Sequence, residues 1–365
     1  MSNAVARKLA AYREIKRIKQ ADLSEAMGFN DRQTLSSIEN GERVLKPNEL
    51  INALKYMGVA MQDFLDPTSL VGKAKFSWRQ QEASEAELND TESKVSKVIG
   101  LFEHISKSCD SSTPFLLKLP LSKDSTIDDA QEYAEKLVVH LKLGEYPAKN
   151  LMAKVFELGI HTLYFELNNR VSAAAVNVTK GSYIIVNRNE VLGRRNFNYA
   201  HELFHILTWD ALPPKRSEKA YSIKSGKKPI EEKLADAFAE ALLMPKESIL
   251  SKVKASNGVI DEVFINHLAN TFEVSAMAMK FRLFRLRQIT QAQLDAIDDN
   301  ALRFNGDKVP QEKPRLFSEF FVNTLHKAIH NGTVSARKAS ENLDMGFSEI
   351  NNLMASYHLA PAIEL

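Results

Sequence analysis

Apolar residues recur at helical spacing through most of this chain, and short apolar runs break the pattern only near its middle. Residues 20–28 read as a short helix ending at Gly28, and residues 31–39 as a second, stopped by Asn40-Gly41. Pro47 opens a third helix that runs to Gly58. Further on, helices are predicted over 127–143 and 148–158, then strands over 162–167, 173–178 and 183–186. One of the last two strands is expected to form the open edge of the sheet. An apolar-periodic helix follows over 194–208, and another over 232–243 is ended by Met244-Pro245. The pattern predicts a mainly α protein with a small β-sheet, an α+β class, with a helical tail from about residue 314.

The helix over 194–208 carries the densest chemistry, His201-Glu202-Leu203-Phe204-His205. Residues four apart share a helix face, so both imidazoles can reach one metal ion. The glutamate between them is placed to take a proton from a water on that metal. Two histidines leave a tetrahedral zinc short of one protein ligand. Glu232 can supply it from the later helix, and Asp236, four residues on, can accept the outer N–H of a ligand histidine. Glu231 and Glu240 are rivals for the ligand role, and a solvated helix face is the plain alternative for Glu232 and Asp236. Tyr199 and Tyr221 are candidates for polarising a carbonyl or holding an oxyanion.

The run Arg195-Asn196-Phe197-Asn198-Tyr199-Ala200-His201-Glu202-Leu203-Phe204-His205 is followed by Glu232-x-x-Ala235-Asp236-x-Phe238-Ala239-x-x-Leu242-Leu243-Met244-Pro245. Together they resemble the ImmA/IrrE metallopeptidases. The resemblance spans about 129–294. It implies a gluzincin-like fold with His201, His205 and Glu232 on Zn2+ and Glu202 as general base. It also implies a protein substrate, a DNA-binding repressor. Phe204 and Asn198-Tyr199 depart from the small residues common in that family.

The short helices near the start, joined by a glycine-containing turn, describe a helix-turn-helix. Gln20-x-x-Leu23, Gly28-Phe29, Ile38-Glu39-x-Gly41 and Pro47 resemble the Xre/Cro-type DNA-binding domains, with double-stranded DNA as the implied partner. Such domains often dimerise, although no dimer seam is legible. Arg32, Gln33, Thr34 and Ser36 are the candidates for DNA contact on the second helix of the motif. Arg7, Lys8, Arg13, Lys16, Arg17 and Lys19 are candidates for phosphate contact.

Composition narrows the remaining classes. The 365 residues suffice for two or three domains, and a net charge of +2 argues against a bulk polyanion binder. No apolar run is long enough to span a bilayer and no leader is read, so a cytoplasmic location and no membrane partner are expected. Cys109, the one cysteine, excludes an internal disulfide. It is also a candidate regulatory thiol, since a thiolate on zinc would displace the catalytic water.

The expected division is a helix-turn-helix domain over 1–66, a connector over 67–126, the metallopeptidase domain over 127–294 and a helical region over 295–365. Residues 77–97 read as an exposed helix or linker, and 211–230 as a breaker-rich loop able to act as a lid. His326 and His330 lack a glutamate of the HExxH kind between them and are not read as a second metal site. The function expected is a zinc endopeptidase coupled to DNA binding. The alternative is an Xre-type regulator or antitoxin whose peptidase-like module serves as a sensor or scaffold.

Overall fold

The computed structural model describes residues 3–106, 117–179, 181–219, 228–256, 259–303 and 312–363. The chain divides into two compact units. One comprises Met1–Lys75, Asn89–Ser111 and Phe320–Leu365; the other comprises Phe76–Leu88 and Ser112–Glu319. The class is α+β, as the periodicity indicates.

The first unit opens with α1 (Asn3–Ile15), α2 (Gln20–Ala26), α3 (Arg32–Glu39), α4 (Pro47–Met57) and α5 (Met61–Leu65). Leu9, Leu23, Leu35, Ile38, Leu54 and Phe64 meet in their core. Local signals set the boundaries. Asp31 caps α3 by accepting the Thr34 amide at 2.8 Å. Pro47 occupies the first turn of α4, and Gly58 ends it at φ 64°, a conformation that favours glycine. Glu39 ties three helices together, accepting from Arg13 Nε at 2.6 Å and from Gln20 Nε2 at 2.7 Å.

After β1 (Ala74–Gln80) comes α6 (Glu85–Ile105), most of which belongs to the first unit. Gly100 lets α6 press on the backbone of Thr68, where an added Cβ would fall 1.7 Å from the carbonyl oxygen. Phe102 packs edge-on against Phe320 and Phe321 at the start of the helical tail.

The second unit continues with α7 (Ile127–His140), α8 (Ala148–Glu157), β2 (Ile160–Phe165), β3 (Val171–Val178), β4 (Gly181–Asn187), α9 (Leu192–Thr208) and β5 (Ser217–Lys219). It ends with α10 (Ile230–Leu243), α11 (Lys246–Ala255), α12 (Glu262–Phe272), α13 (Ala276–Arg285), α14 (Gln291–Ala296) and α15 (Asp299–Arg303). The tail in the first unit is α16 (Glu319–His330), α17 (Ala336–Leu343) and α18 (Phe347–Ser356).

The sheet order is β2-β4-β3-β1-β5. β3 and β4 form an antiparallel hairpin, β2 runs parallel to β4, and β5 runs parallel to β1. Both β3 and β4 are therefore internal, and the expectation that one of them forms the open edge is overturned. Their near-continuous burial explains this, because a strand covered on both faces and paired on both sides reads as an unbroken apolar run. The reading of 77–97 as linker or helix also fails at its start, since residues 77–80 are strand and Trp78 is fully buried. Within 211–230, Ser217–Lys219 is a strand rather than loop.

Helix α9 lies against β3 and β4, with α10 beside it and α7 beyond. The small side chain of Ala175 on β3 shares a core with α9 and allows that close approach. At its start, Gly193 abuts the Val274–Ser275 backbone, and Asn196 donates to the Glu273 carbonyl at 2.9 Å. These contacts fix the axial position of the helix that carries the histidines.

Candidate metal centre

Helix periodicity alone puts His201 and His205 on one face of α9; packing against the sheet then buries both, together with Glu202. Helix α10 brings Glu232 to them from its first turn, where the N-terminal end of the helix dipole favours a carboxylate. His205 Nε2 lies 3.1 Å from His201 Nε2 and 3.0 Å from Glu232 Oε1. His201 Nε2 lies 3.3 Å from Glu232 Oε2. One ligand atom from each residue falls within 4.8 Å of the others, the one such cluster among the described residues.

Several of these atoms lack partners. Both Glu232 oxygens, Glu202 Oε2 and His205 Nδ1 are buried with no hydrogen bond among the described residues. Buried carboxylate oxygens without donors are costly, unless a cation lies between them and their neighbours. The donor set fits one. Bonds of about 2.1 Å at tetrahedral angles would separate ligand atoms by roughly 3.4 Å, close to what is found here. His201, His205 and Glu232 would hold the ion, leaving a fourth position for water or substrate.

The electrostatics differ from one carboxyl to the next. Burial pushes Glu232 up, but His201 and then His205 outweigh it and hold the group well below the usual carboxylate range. For Asp236, burial is again outweighed, by the His201 hydrogen bond and then by Arg79 and Lys228, so its carboxyl also lies low. Asp236 Oδ1 stands 2.9 Å from His201 Nδ1, the geometry that presents Nε2 to a metal. Burial dominates at Glu202 and raises its carboxyl to about 7, despite the opposing pull of His205, Arg79 and the Ala175 amide. The rivals lie elsewhere: Glu240 is paired with Arg282 and Arg285, and Glu231 is absent from the cluster.

Tyr199 is fully buried and its hydroxyl bonds Thr162 at 3.1 Å. Two residues before His201, it faces about 200° away around the helix, into the sheet, and not toward the metal ligands. Tyr221 and Cys109 lie outside the described residues. His326 bonds the Ala360 carbonyl at 3.1 Å.

One group near the site escaped the sequence. Arg79, on β1, places Nη1 3.0 Å from His201 Nε2 and Nη2 3.7 Å from Asp236 Oδ1. The alternation Phe76-Ser77-Trp78-Arg79 is a strand signature, but nothing in it tells which helix the strand adjoins.

On the helix-turn-helix, Arg32 and Gln33 are exposed and Ser36 is half-buried, while the Thr34 hydroxyl bonds the capping Asp31. Leu35 and Ile38 face the core. Two of the six candidate phosphate contacts are used internally. Lys8 is buried over the Phe64 ring and Arg13 is clamped by Glu39. Arg7, Lys16, Arg17 and Lys19 remain exposed.

Two family models match parts of the chain. Residues 156–284 match the peptidase M78 model, described as the IrrE N-terminal-like domain. Residues 9–64 match a helix-turn-helix model. The chain joins an N-terminal helix-turn-helix to an ImmA/IrrE-type domain, a metallopeptidase-like module of a metal-dependent family. No curated protein matches it. Among the described residues, no helix is long and apolar enough to cross a membrane.

Proposed function

We propose that this chain is a zinc-dependent endopeptidase joined to a DNA-binding domain, and that its substrate is a DNA-binding repressor or related regulator. The observation that carries this reading is the convergence of His201, His205 and Glu232, with Glu202 buried beside them and one of its oxygens unpartnered. When bound, zinc would polarise the scissile carbonyl and lower the pKa of the attacking water. Glu202 takes the proton from that water and returns it to the leaving amine, a task suited to a carboxyl raised to about 7. Asp236 orients His201. The helix-turn-helix, through Arg32, Gln33 and Ser36, brings the peptidase to the DNA where its substrate is bound.

Glu202→Gln tests the reading. It is expected to keep stoichiometric zinc and to lower proteolysis by at least about 100-fold. New protein N-termini are compared in cells expressing either form; wild type should generate them in a DNA-binding regulator and the variant should not. Identical sets would overturn the peptidase and leave the module a sensor or scaffold.

A further inference from the structure

Arg79 is a nearly buried cation with donors to spare. Its side chain is 11% exposed. Nε donates to Asn198 Oδ1 at 3.0 Å. Asn198 in turn donates to Glu190 at 2.6 Å, and Glu190 accepts from Ser172 at 2.7 Å. The Phe197 ring lies 5.8 Å from the guanidinium carbon. The group is thus held from one side, and its Nη atoms face the ligands.

Those atoms have almost nothing to bond. Nη1 is 3.1 Å from His201 Nδ1 and 3.0 Å from Nε2. A nitrogen so nearly equidistant from both lies over the ring face, not in line with either lone pair. Nδ1 is already engaged by Asp236, and Nε2 faces His205 and Glu232. Glu232 Oε2 at 4.0 Å from Nη1 and Asp236 Oδ1 at 3.7 Å from Nη2 are beyond hydrogen-bond reach. A structural ion pair would close on Asp236, yet the other Asp236 oxygen is taken by Lys228. Of the five guanidinium N–H groups, Nε–H is hydrogen-bonded to Asn198, and the four on Nη1 and Nη2 make no hydrogen bond to a carbonyl or carboxylate among the described residues; Glu232 and Asp236 stand only at ion-pair distance.

We infer that Arg79 binds the oxygen that becomes charged during peptide cleavage, completing from β1 a site whose metal ligands come from α9 and α10. The inference rests on the metallopeptidase reading. As water adds to the scissile carbon, the C=O π pair moves onto oxygen and Glu202 takes the water's proton. Arg79 donates to that oxygen. The C–N bond then breaks, the carbonyl re-forms, and the amine leaves with the proton. A fixed guanidinium in a water-poor site needs no reorganisation to do this. Arg79 lies outside residues 156–284, so the family match does not include it.

The test uses the full chain loaded with cobalt, with methylphosphonate as a tetrahedral oxyanion probe. Binding is read from the visible cobalt bands, and metal affinity is measured separately. Arg79→Gln is expected to weaken methylphosphonate at least tenfold while cobalt affinity changes less than threefold; Arg79→Lys should fall between. Equal affinity for the probe in wild type and Arg79→Gln overturns the inference. So does a wild type that holds cobalt but not the probe, or an Arg79→Gln that loses cobalt, which would make Arg79 a support of the metal site. A wild type that takes up no cobalt overturns the metallopeptidase reading, and this inference with it.

Discussion

Two buried polar clusters, one in each unit, show opposite designs. In the helix-turn-helix, Glu39 meets Arg13 and Gln20, and both carboxylate oxygens accept. The cluster is closed: its donors and acceptors pair with one another and join three helices. In the ImmA/IrrE-type domain, Glu232 is buried more deeply, yet both its oxygens lack a hydrogen bond, as does Glu202 Oε2. That cluster is open: only the two imidazoles stand beside the Glu232 oxygens, and their ring nitrogens converge on the same point. A polar group buried for stability brings its own partners, whereas one buried for chemistry waits for a ligand.

The contrast can be broken most forcefully at the metal. Ligand binding to the folded state stabilises it by about 4 kcal/mol when the ligand is at roughly a thousand times its Kd. Chelation should therefore lower the melting transition of the ImmA/IrrE-type domain and leave that of the helix-turn-helix unit in place. Glu232→Ala should abolish both metal content and this chelator response, with Glu231→Ala retaining them. Differential scanning calorimetry beside metal analysis decides the matter. An unchanged transition on chelation would mean that the open cluster needs no ion.

The closed cluster is broken by Glu39→Ala, which takes two of its hydrogen bonds from the Arg13 guanidinium, at a site where that side chain is 12% exposed, and leaves it the Ile18 carbonyl and the exposed Glu14. Removing one partner of a buried pair costs about 3 kcal/mol. Denaturant unfolding should show that loss in the first unit, with metal affinity unchanged. A loss under 1 kcal/mol would place the pair among solvated surface bridges.

A third, smaller effect concerns a half-buried titratable group away from the metal centre. His161 lies between the Phe156 and Tyr183 rings, and burial lowers its pKa to about 4. As pH falls below about 6.5, the unfolded chain takes up this proton first, so stability is full above that pH and declines toward pH 4. At pH 5 the loss is at most about 2 kcal/mol relative to pH 7. His161→Phe should flatten this part of the stability–pH profile; a variant profile parallel to wild type would assign the slope to other groups.

How much of this was legible beforehand depended on the range of the interaction. Helix spacing put His201, Glu202 and His205 on α9, and an acidic residue in the first turn of α10 was a natural third ligand, because such signals are local. Caps and glycines marked the helix-turn-helix for the same reason. Tertiary structure decided which of Glu231, Glu232 and Glu240 faced the histidines, since that depends on how α10 is rotated against α9. It sent Tyr199 into the core, withdrew Lys8 and Arg13 from the basic surface, and placed β3 and β4 inside the sheet. Above all, it brought Arg79 to His201 across 122 residues. Sequence periodicity tells a strand which face to bury, but its neighbours are chosen by the packing of the whole domain.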